Sequence, residues 1–150
     1  MKIKRDIIYF GSDNNILYTD AGDANGKYDN RNYKIGLYHP RINKTETIEL
    51  DNGLTTYEAE CYGLVNAIIY AINNELKNVM IVGDNKSACE NKKILNFAKT
   101  YAIKIYWIPR ELNQVADKIT KIKSTTKKQN LNNLKLIYNL VMRDGNSLNT

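Results

Sequence analysis

The chain has 150 residues, of which 43% are hydrophobic and 25% charged, and this composition is ordinary for one globular domain with its own core. Wholesale disorder is therefore excluded. No apolar run approaches the roughly 18 residues that a membrane helix needs, and residues 1–10 lack the apolar stretch of a secretory signal. We expect a cytoplasmic monomer without membrane contact. Cys61 and Cys89 have no CxxC spacing, so we expect reduced thiols and no structural zinc site.

The basic residues are concentrated in one segment. The formal net charge is +6, which favours a polyanionic partner such as a nucleic acid. Near the C-terminus the lysines crowd together, at Lys118, Lys121, Lys123, Lys127 and Lys128. Two interpretations of this segment stay open: a solvated linker, or a patch that contacts phosphates.

Hydrophobic periodicity predicts an alternation of strands and helices. In chain order the patterns predict strands at 16–19, 33–38 and 45–50, a helix at 56–74, a strand at 79–82, a helix at 87–101, a strand at 103–108 and a short helix that is capped by Asn113 and runs to Ile122. Turn-forming residues fill 22–27, so the first strand is expected to end at Asp20. A final amphipathic helix is predicted at 131–141.

This order of elements predicts an α/β fold in which helices pack on a mixed sheet. The first three strands follow each other through short connections, which favours an antiparallel meander. We expect a catalytic domain at 1–122, followed at 123–150 by a Lys-rich linker and the C-terminal helix. That helix is either the last piece of the domain or a docking helix for a protein partner.

Four acidic residues stand where a charge is costly or unexpected. Asp20 and Asp84 each follow an apolar strand, and the ends of strands are where open sheets build their sites. Glu60 shares a helix face with Leu64, and burying an unpaired carboxylate costs several kcal/mol. Taken alone, Glu60 has a second explanation, because a negative charge in a first helical turn is favoured by about 0.3–1 kcal/mol. Asp117 lies in the first turn of a later helix.

Together, these carboxylates predict a cation site. Like charges that converge cannot all stay ionised unless a cation compensates them. Oxygen ligands alone suit the hard ions Mg²⁺ or Mn²⁺. In a basic protein, such a cluster points to phosphoryl chemistry on nucleic acid.

The same residues fall in four motifs that resemble the ribonuclease H family of type one. The motifs are Thr-Asp-Ala-Gly at 19–22, Thr-Thr-Tyr-Glu-Ala-Glu at 55–60, Val-Gly-Asp-Asn-Lys at 82–86 and Trp-Ile-Pro-Arg-Glu-Leu-Asn-Gln-Val-Ala-Asp at 107–117. The last of these is similar to the Pro-Arg-Glu branch of the family, and the chain also lacks the basic handle that some members insert after the second helix. The resemblance covers roughly residues 15–122.

The resemblance implies a five-stranded mixed sheet of order 3-2-1-4-5 with flanking helices. It also implies hydrolysis of the RNA strand of RNA–DNA hybrids with two Mg²⁺ ions, for which Mn²⁺ can substitute, leaving 5′-phosphate and 3′-hydroxyl ends. In that scheme Asp20 bridges both ions and Asp117 helps to hold the ion that activates water. Glu60 and Asp84 hold the ion at the leaving oxygen.

The resemblance further implies a set of residues that contact the substrate. They are Ala21, Gly22, Thr56, Tyr57, Asn85 and Arg110. Thr56 and Tyr57 replace the pair of asparagines with which family members read the hybrid, so two alternatives stay open: a related nuclease that acts on DNA, and an inactive module that binds nucleic acid or protein. Without the handle, the segment 118–128 is the candidate for holding the substrate. His39, beside Pro40, is expected at the surface.

Overall fold

A computed structural model of the chain describes residues 14–23, 33–51, 53–113 and 128–144. Its five strands are β1 (Asn15–Asp23), β2 (Tyr33–His39), β3 (Lys44–Glu49), β4 (Val79–Gly83) and β5 (Lys104–Trp107). They form one sheet in the order β3-β2-β1-β4-β5. The first three strands pair antiparallel, whereas β4 pairs parallel with both β1 and β5. The predicted mixed sheet and its order are therefore confirmed.

Four helices are described: α1 (Thr56–Asn73), α2 (Lys86–Cys89), α3 (Lys92–Thr100) and α4 (Lys128–Asp144). Short 3₁₀ turns cover Pro40–Ile42 and Arg110–Leu112. α1 begins in a capping box, in which Thr55 and Glu58 exchange side-chain-to-backbone hydrogen bonds. Among the residues that the structure describes, no helix combines the length and the apolar character that a membrane crossing requires.

The helix predicted at 87–101 is broken in two. The side chain of Asn91 accepts a hydrogen bond from the backbone N–H of Ile94 at 3.1 Å, which caps the start of α3. The backbone of Asn91 is extended, so α2 cannot continue through it. The periodicity of the apolar residues carries across this interruption, and the sequence pattern therefore did not reveal it.

The first strand is longer than predicted. Residues 21–23 continue the antiparallel pairing, with Ala21 opposite Ile35 and Asp23 opposite Tyr33. The expectation that the strand ends at Asp20 and that a turn begins at Gly22 was wrong, because pairing with β2 outweighs the turn preference of these residues. The parallel pairing of β1 with β4 ends earlier, at Tyr18 opposite Val82.

The main core lies between the sheet and the helices. Leu17, Ile35, Leu37, Val65, Ile68 and Ile81 are fully or almost fully buried there. The apolar face of α4 belongs to this core, since the ring of Tyr138 stacks on that of Tyr62 with 3.7 Å between centroids. A protein partner at α4 would have to use its outer side, where Leu136 is exposed. The predicted boundary between residues 122 and 123 lies outside the described residues and stays a prediction.

His39 is buried, and the prediction of a surface residue was wrong. Its side chain is 1% exposed. Nδ1 lies 2.9 Å from the Tyr70 hydroxyl and Nε2 lies 3.0 Å from Oδ1 of Asn15. The exposed 3₁₀ turn begins only at the neighbouring Pro40, so His39 is still part of β2 and keeps the inward direction of that strand. This network includes Asn15, the first residue of β1.

Candidate metal centre

Three of the predicted carboxylates converge beside the central strands β1 and β4. Asp20, Glu60 and Asp84 each place a carboxylate oxygen so that the three oxygens lie within 4.8 Å of one another. The side chains of Asp20 and Glu60 are 3% and 5% exposed, whereas that of Asp84 is half-buried. Two of the three groups are thus almost removed from water, and the third lies at the opening of the cluster.

A close approach of α1 to β1 brings the first two carboxylates together. A Cβ atom on Gly63 of α1 would lie only 2.7 Å from Oγ1 of Thr19, so glycine permits this spacing. The backbone N–H of Ala21 donates a hydrogen bond of 3.1 Å to Oε1 of Glu60. The helix glutamate is therefore fixed to the strand that carries Asp20.

Burial and mutual repulsion make the ionised cluster unfavourable without a cation. Burial raises the pKa of Asp20, and the negative charges of Glu60 and Asp84 raise it further. Burial also raises the pKa of Glu60, with the charge of Asp84 as the second cause, while the nearby Arg110 acts in the opposite direction. A bound cation would remove the repulsion that both shifts express.

The donor set fits a hard divalent cation. Oδ1 of Asp20 is buried and has no hydrogen-bond partner among the residues that the structure describes. A buried carboxylate oxygen of this kind costs free energy unless a cation or a donor meets it. The cluster offers only carboxylate oxygens, which Mg²⁺ and Mn²⁺ prefer over the nitrogen and sulfur ligands that zinc favours.

Two residues that were not predicted as site residues form hydrogen bonds with Asp84. The amide nitrogen of Asn113 donates to Oδ2 of Asp84 at 3.2 Å and to the backbone oxygen of Thr19 at 2.9 Å. The indole N–H of Trp107 donates to the backbone oxygen of Asp84 at 3.1 Å. From the sequence, Asn113 was expected only to cap a helix. Both residues lie in the 107–117 motif, and their place in that motif was the feature of the sequence that could have identified them as part of the site.

Solved structures provide the comparison for this fold. The N-terminal RNase H domain of rv2228c from Mycobacterium tuberculosis superposes with a TM-score of 0.56 at 15% identity, over 83% of this chain and 97% of that one. RNase H1 from Halobacterium salinarum gives 0.53 at 16% identity, over 71% and 93%. The foamy viral protease-reverse transcriptase in complex with an RNA/DNA hybrid gives 0.54 at 17% identity, over 71% of this chain and 19% of that one.

The chain has a ribonuclease H-like fold. No protein-family model and no curated protein sequence matches the chain. The fold similarity thus rests on the shape of the chain and on its strand order, at sequence identities of 15–17% in these three structures.

Within this ribonuclease H-like fold, the start of α1 carries two of the predicted substrate residues beside the carboxylates. Thr56 is exposed, and its hydroxyl lies 2.6 Å from that of Tyr33. Tyr57 is 40% exposed, and its hydroxyl accepts a hydrogen bond of 2.8 Å from the amide of Asn91. Tyr57 precedes Glu60 by three residues, so the two side chains share one face of the helix.

The other predicted substrate residues either follow a carboxylate of the cluster in the sequence or act on its charge. Ala21 is buried and Gly22 half-buried in β1, directly after Asp20. Asn85 follows Asp84 and caps α2, because its side chain accepts from the N–H of Ala88 at 2.9 Å. Arg110 is exposed in the 3₁₀ turn, and its charge acts on Glu60. Their contacts with a substrate stay predictions.

The fourth predicted carboxylate, Asp117, lies outside the described residues, as does the basic segment 118–127. The last described residue before Asp117 in the sequence is Asn113, whose amide donates a hydrogen bond to Asp84. The role of Asp117 as a metal ligand therefore stays a prediction from its motif.

Proposed function

We propose that this protein is a metal-dependent endonuclease that hydrolyses the RNA strand of RNA–DNA hybrids and leaves 5′-phosphate and 3′-hydroxyl ends. The observation that carries the proposal is the convergence of the buried Asp20 and Glu60 with the half-buried Asp84 beside the central strands β1 and β4 of a ribonuclease H-like sheet. Two of the structures with the same fold are named as RNase H proteins, which supports the same class of reaction here.

Asp20, Glu60 and Asp84 would hold two divalent cations, with Asp117 as the predicted fourth ligand. Mg²⁺ is the proposed ion and Mn²⁺ a substitute, since both prefer oxygen donors. When bound, such a pair of cations stabilises the attacking and leaving oxygens of an in-line displacement at phosphorus.

The chain's own residues prepare this site before any substrate binds. The Ala21 N–H fixes the direction of Glu60, and the Asn113 amide fixes that of Asp84. Because Asp20 and Glu60 are buried, little water competes for their oxygens. Carboxylates that are held in place need little rearrangement when charge develops in the transition state.

The rim of the cluster supplies contacts for a nucleic acid. Arg110, whose charge acts on Glu60, and Lys86, which follows Asp84 by two residues, are exposed and carry positive charge for phosphates. The exposed ring of Tyr57 can stack on a sugar or base, and the Thr56 hydroxyl can bond a ribose 2′-hydroxyl. The foamy viral protease-reverse transcriptase was solved with an RNA/DNA hybrid and also with dsDNA, which supports a nucleic acid duplex as the partner. A monomeric state and a cytoplasmic location remain part of the proposal.

The test is cleavage of one sequence prepared as hybrid, duplex DNA and duplex RNA, each with Mg²⁺, with Mn²⁺ and with EDTA. We expect the RNA strand of the hybrid to be cut with either metal, and no cleavage in EDTA. Preferred cleavage of duplex DNA would show a related DNA nuclease instead. Tight binding of the hybrid without cleavage in any metal would identify a binding module and contradict the proposal.

A further inference from the structure

The two aspartates of the cluster lie beyond the point where their strands pair. The last parallel pair between β1 and β4 joins Tyr18 and Val82. Asp20 and Asp84 each follow that pair by two residues. Backbone pairing of β1 with β4 does not reach either aspartate, so contacts beyond that pairing contribute to the distance between them.

Asn113 makes one such contact. Its amide nitrogen donates both to the backbone oxygen of Thr19, the neighbour of Asp20, and to Oδ2 of Asp84. The side chain is 1% exposed, so water does not compete for these bonds. One side chain thus joins the strand of the first aspartate to the carboxylate of the second.

Only one orientation of this amide gives its nitrogen two acceptors, and in it Oδ1 of Asn113 is buried without a partner among the residues that the structure describes. Both groups that it faces, the Thr19 backbone oxygen and the Asp84 carboxylate, are acceptors. A flipped amide would place Oδ1 against two acceptors, which repel it. The backbone of Asn113 is fixed as well, because its N–H donates to the backbone oxygen of Arg110 at 2.9 Å and closes the 3₁₀ turn.

Building on the metal site of the proposed function, we propose that Asn113 is a positioning residue that sets the separation of Asp20 and Asp84 and the rotation of the Asp84 carboxylate. Asn113 itself need not touch the substrate or the cations. Hydrogen-bond partners of metal ligands commonly change metal affinity by about 10- to 100-fold when they are removed. Removing the Asn113 amide should therefore weaken metal binding more than it destabilises the fold.

The test compares Asn113→Leu with Asn15→Leu by calorimetric titration of Mn²⁺ and of Mg²⁺. Leucine removes the donors while it fills the space and keeps water out. Asn15 is a matched control, because it is also a buried asparagine whose amide donates to a backbone oxygen, that of Lys77, but it lies at the far end of β1. We expect the dissociation constant for Mn²⁺ to rise about 10-fold or more in Asn113→Leu and to stay near the wild-type value in Asn15→Leu.

Steady-state cleavage of the hybrid adds a second measurement. The Mg²⁺ concentration for half-maximal activity should rise in Asn113→Leu, while the KM for the hybrid stays close to the wild-type value. If the leucine variant does not fold, Asn113→Ser replaces it. Its hydroxyl can serve one of the two acceptors, so an intermediate loss of metal affinity is expected.

Two outcomes would overturn the role of Asn113: unchanged metal affinity in every folded Asn113 variant, or an equal loss of affinity in Asn15→Leu. Asp84→Asn, titrated in parallel, separates this inference from the proposed function. Loss of metal binding in Asp84→Asn together with wild-type binding in Asn113→Leu removes only the positioning role. Wild-type binding in Asp84→Asn contradicts the metal site itself.

Discussion

The backbone N–H of Ala21 and the carboxylate of Glu60 are joined by a hydrogen bond of 3.1 Å that crosses from β1 to α1. This bond favours the ionised form of Glu60, yet burial and the charge of Asp84 outweigh it, and the pKa of Glu60 is raised. The same balance holds for Asp20, where burial is the largest cause of the raised pKa. The metal-free cluster therefore lowers the stability of the fold.

Asp20→Asn should raise the melting temperature of the metal-free protein. The pKa of Asp20 is higher in the folded protein than in the unfolded chain. The contribution of the protonated Asp20 to stability is therefore fully present below the pKa of the unfolded chain, about 3.9, and is lost as the pH rises through the pKa of the folded protein. The advantage of the asparagine variant should thus grow between pH 4 and pH 8. If the substitution removes about 1 kcal/mol of unfavourable free energy, the melting temperature should rise by about 4 °C. Calorimetric scans in EDTA across this range measure it.

Mg²⁺ provides the control for that experiment. Saturating Mg²⁺ should stabilise the wild-type protein, since a ligand that binds only the folded state raises its stability. It should have little effect on Asp20→Asn. A variant that melts below the wild-type protein in EDTA at pH 8 would contradict the repulsion inferred for the cluster.

The buried His39 should make the protein sensitive to mild acid. Burial lowers its pKa, and the charges of Arg41 and Lys44 lower it further. Stability from neutral His39 is then fully present above the unfolded value of about 6.5 and is lost as the pH falls through the folded value. Urea unfolding of the wild-type protein and of His39→Gln at pH 7.5 and pH 5 measures this. The variant cannot titrate and should lose less stability, and an equal loss in both proteins would refute the prediction.

The C-terminal helix should contribute to the stability of the core through Tyr138. Its ring stacks on Tyr62, and removing a large buried aromatic side chain costs about 3–5 kcal/mol. Tyr138→Ala should lower the free energy of unfolding in urea by about that amount. Leu136→Ala on the same helix is the control, because Leu136 is 62% exposed and surface changes usually stay within about 0.5 kcal/mol. Equal effects of the two substitutions would show that α4 does not pack as described.

Gly63→Ala should destabilise the protein although alanine is the better helix former by about 1 kcal/mol. The added Cβ would lie 2.7 Å from Oγ1 of Thr19, beside Asp20, and overpacking of a core typically costs about 1–3 kcal/mol. The double variant Thr19→Ala/Gly63→Ala removes the clashing hydroxyl and should recover most of the loss. A double-mutant cycle from urea unfolding measures this coupling. Additive effects of the two substitutions would show that contact between residues 63 and 19 does not limit how closely α1 packs on β1.

Much of the fold follows from local sequence patterns. The continuous apolar run at 79–82 predicts a buried strand, and the structure places β4 at the centre of the sheet beside β1. The helical spacing after Thr55 predicts α1, and its capping box fixes the start. The end of β1 could not be predicted, because Gly22 and Asp23 favour turns locally and are held extended only by their pairing with β2.

The charged residues of the candidate site could be predicted from the sequence, but the residues that hold them in place could not. A carboxylate on an apolar helix face, such as Glu60, is visible in the sequence because burial of a charge is costly. A neutral amide such as Asn113 carries no comparable signal, and helix capping is the ordinary explanation for it. His39 shows the same limit, since its burial depends on Tyr70 and Asn15, which are distant in the sequence.

The most direct test of the metal centre is cleavage of the RNA strand of a matched hybrid in Mg²⁺. The wild-type protein is compared with Asp20→Asn and Asp84→Asn. The wild-type protein should cut the strand, and EDTA should stop it. Each variant should remain folded and lose more than about 100-fold in rate, because changes outside the ligand set alone cost about 10- to 100-fold. Metal-dependent cleavage at near wild-type rate by either variant would contradict the assignment of Asp20, Glu60 and Asp84 as the catalytic metal site.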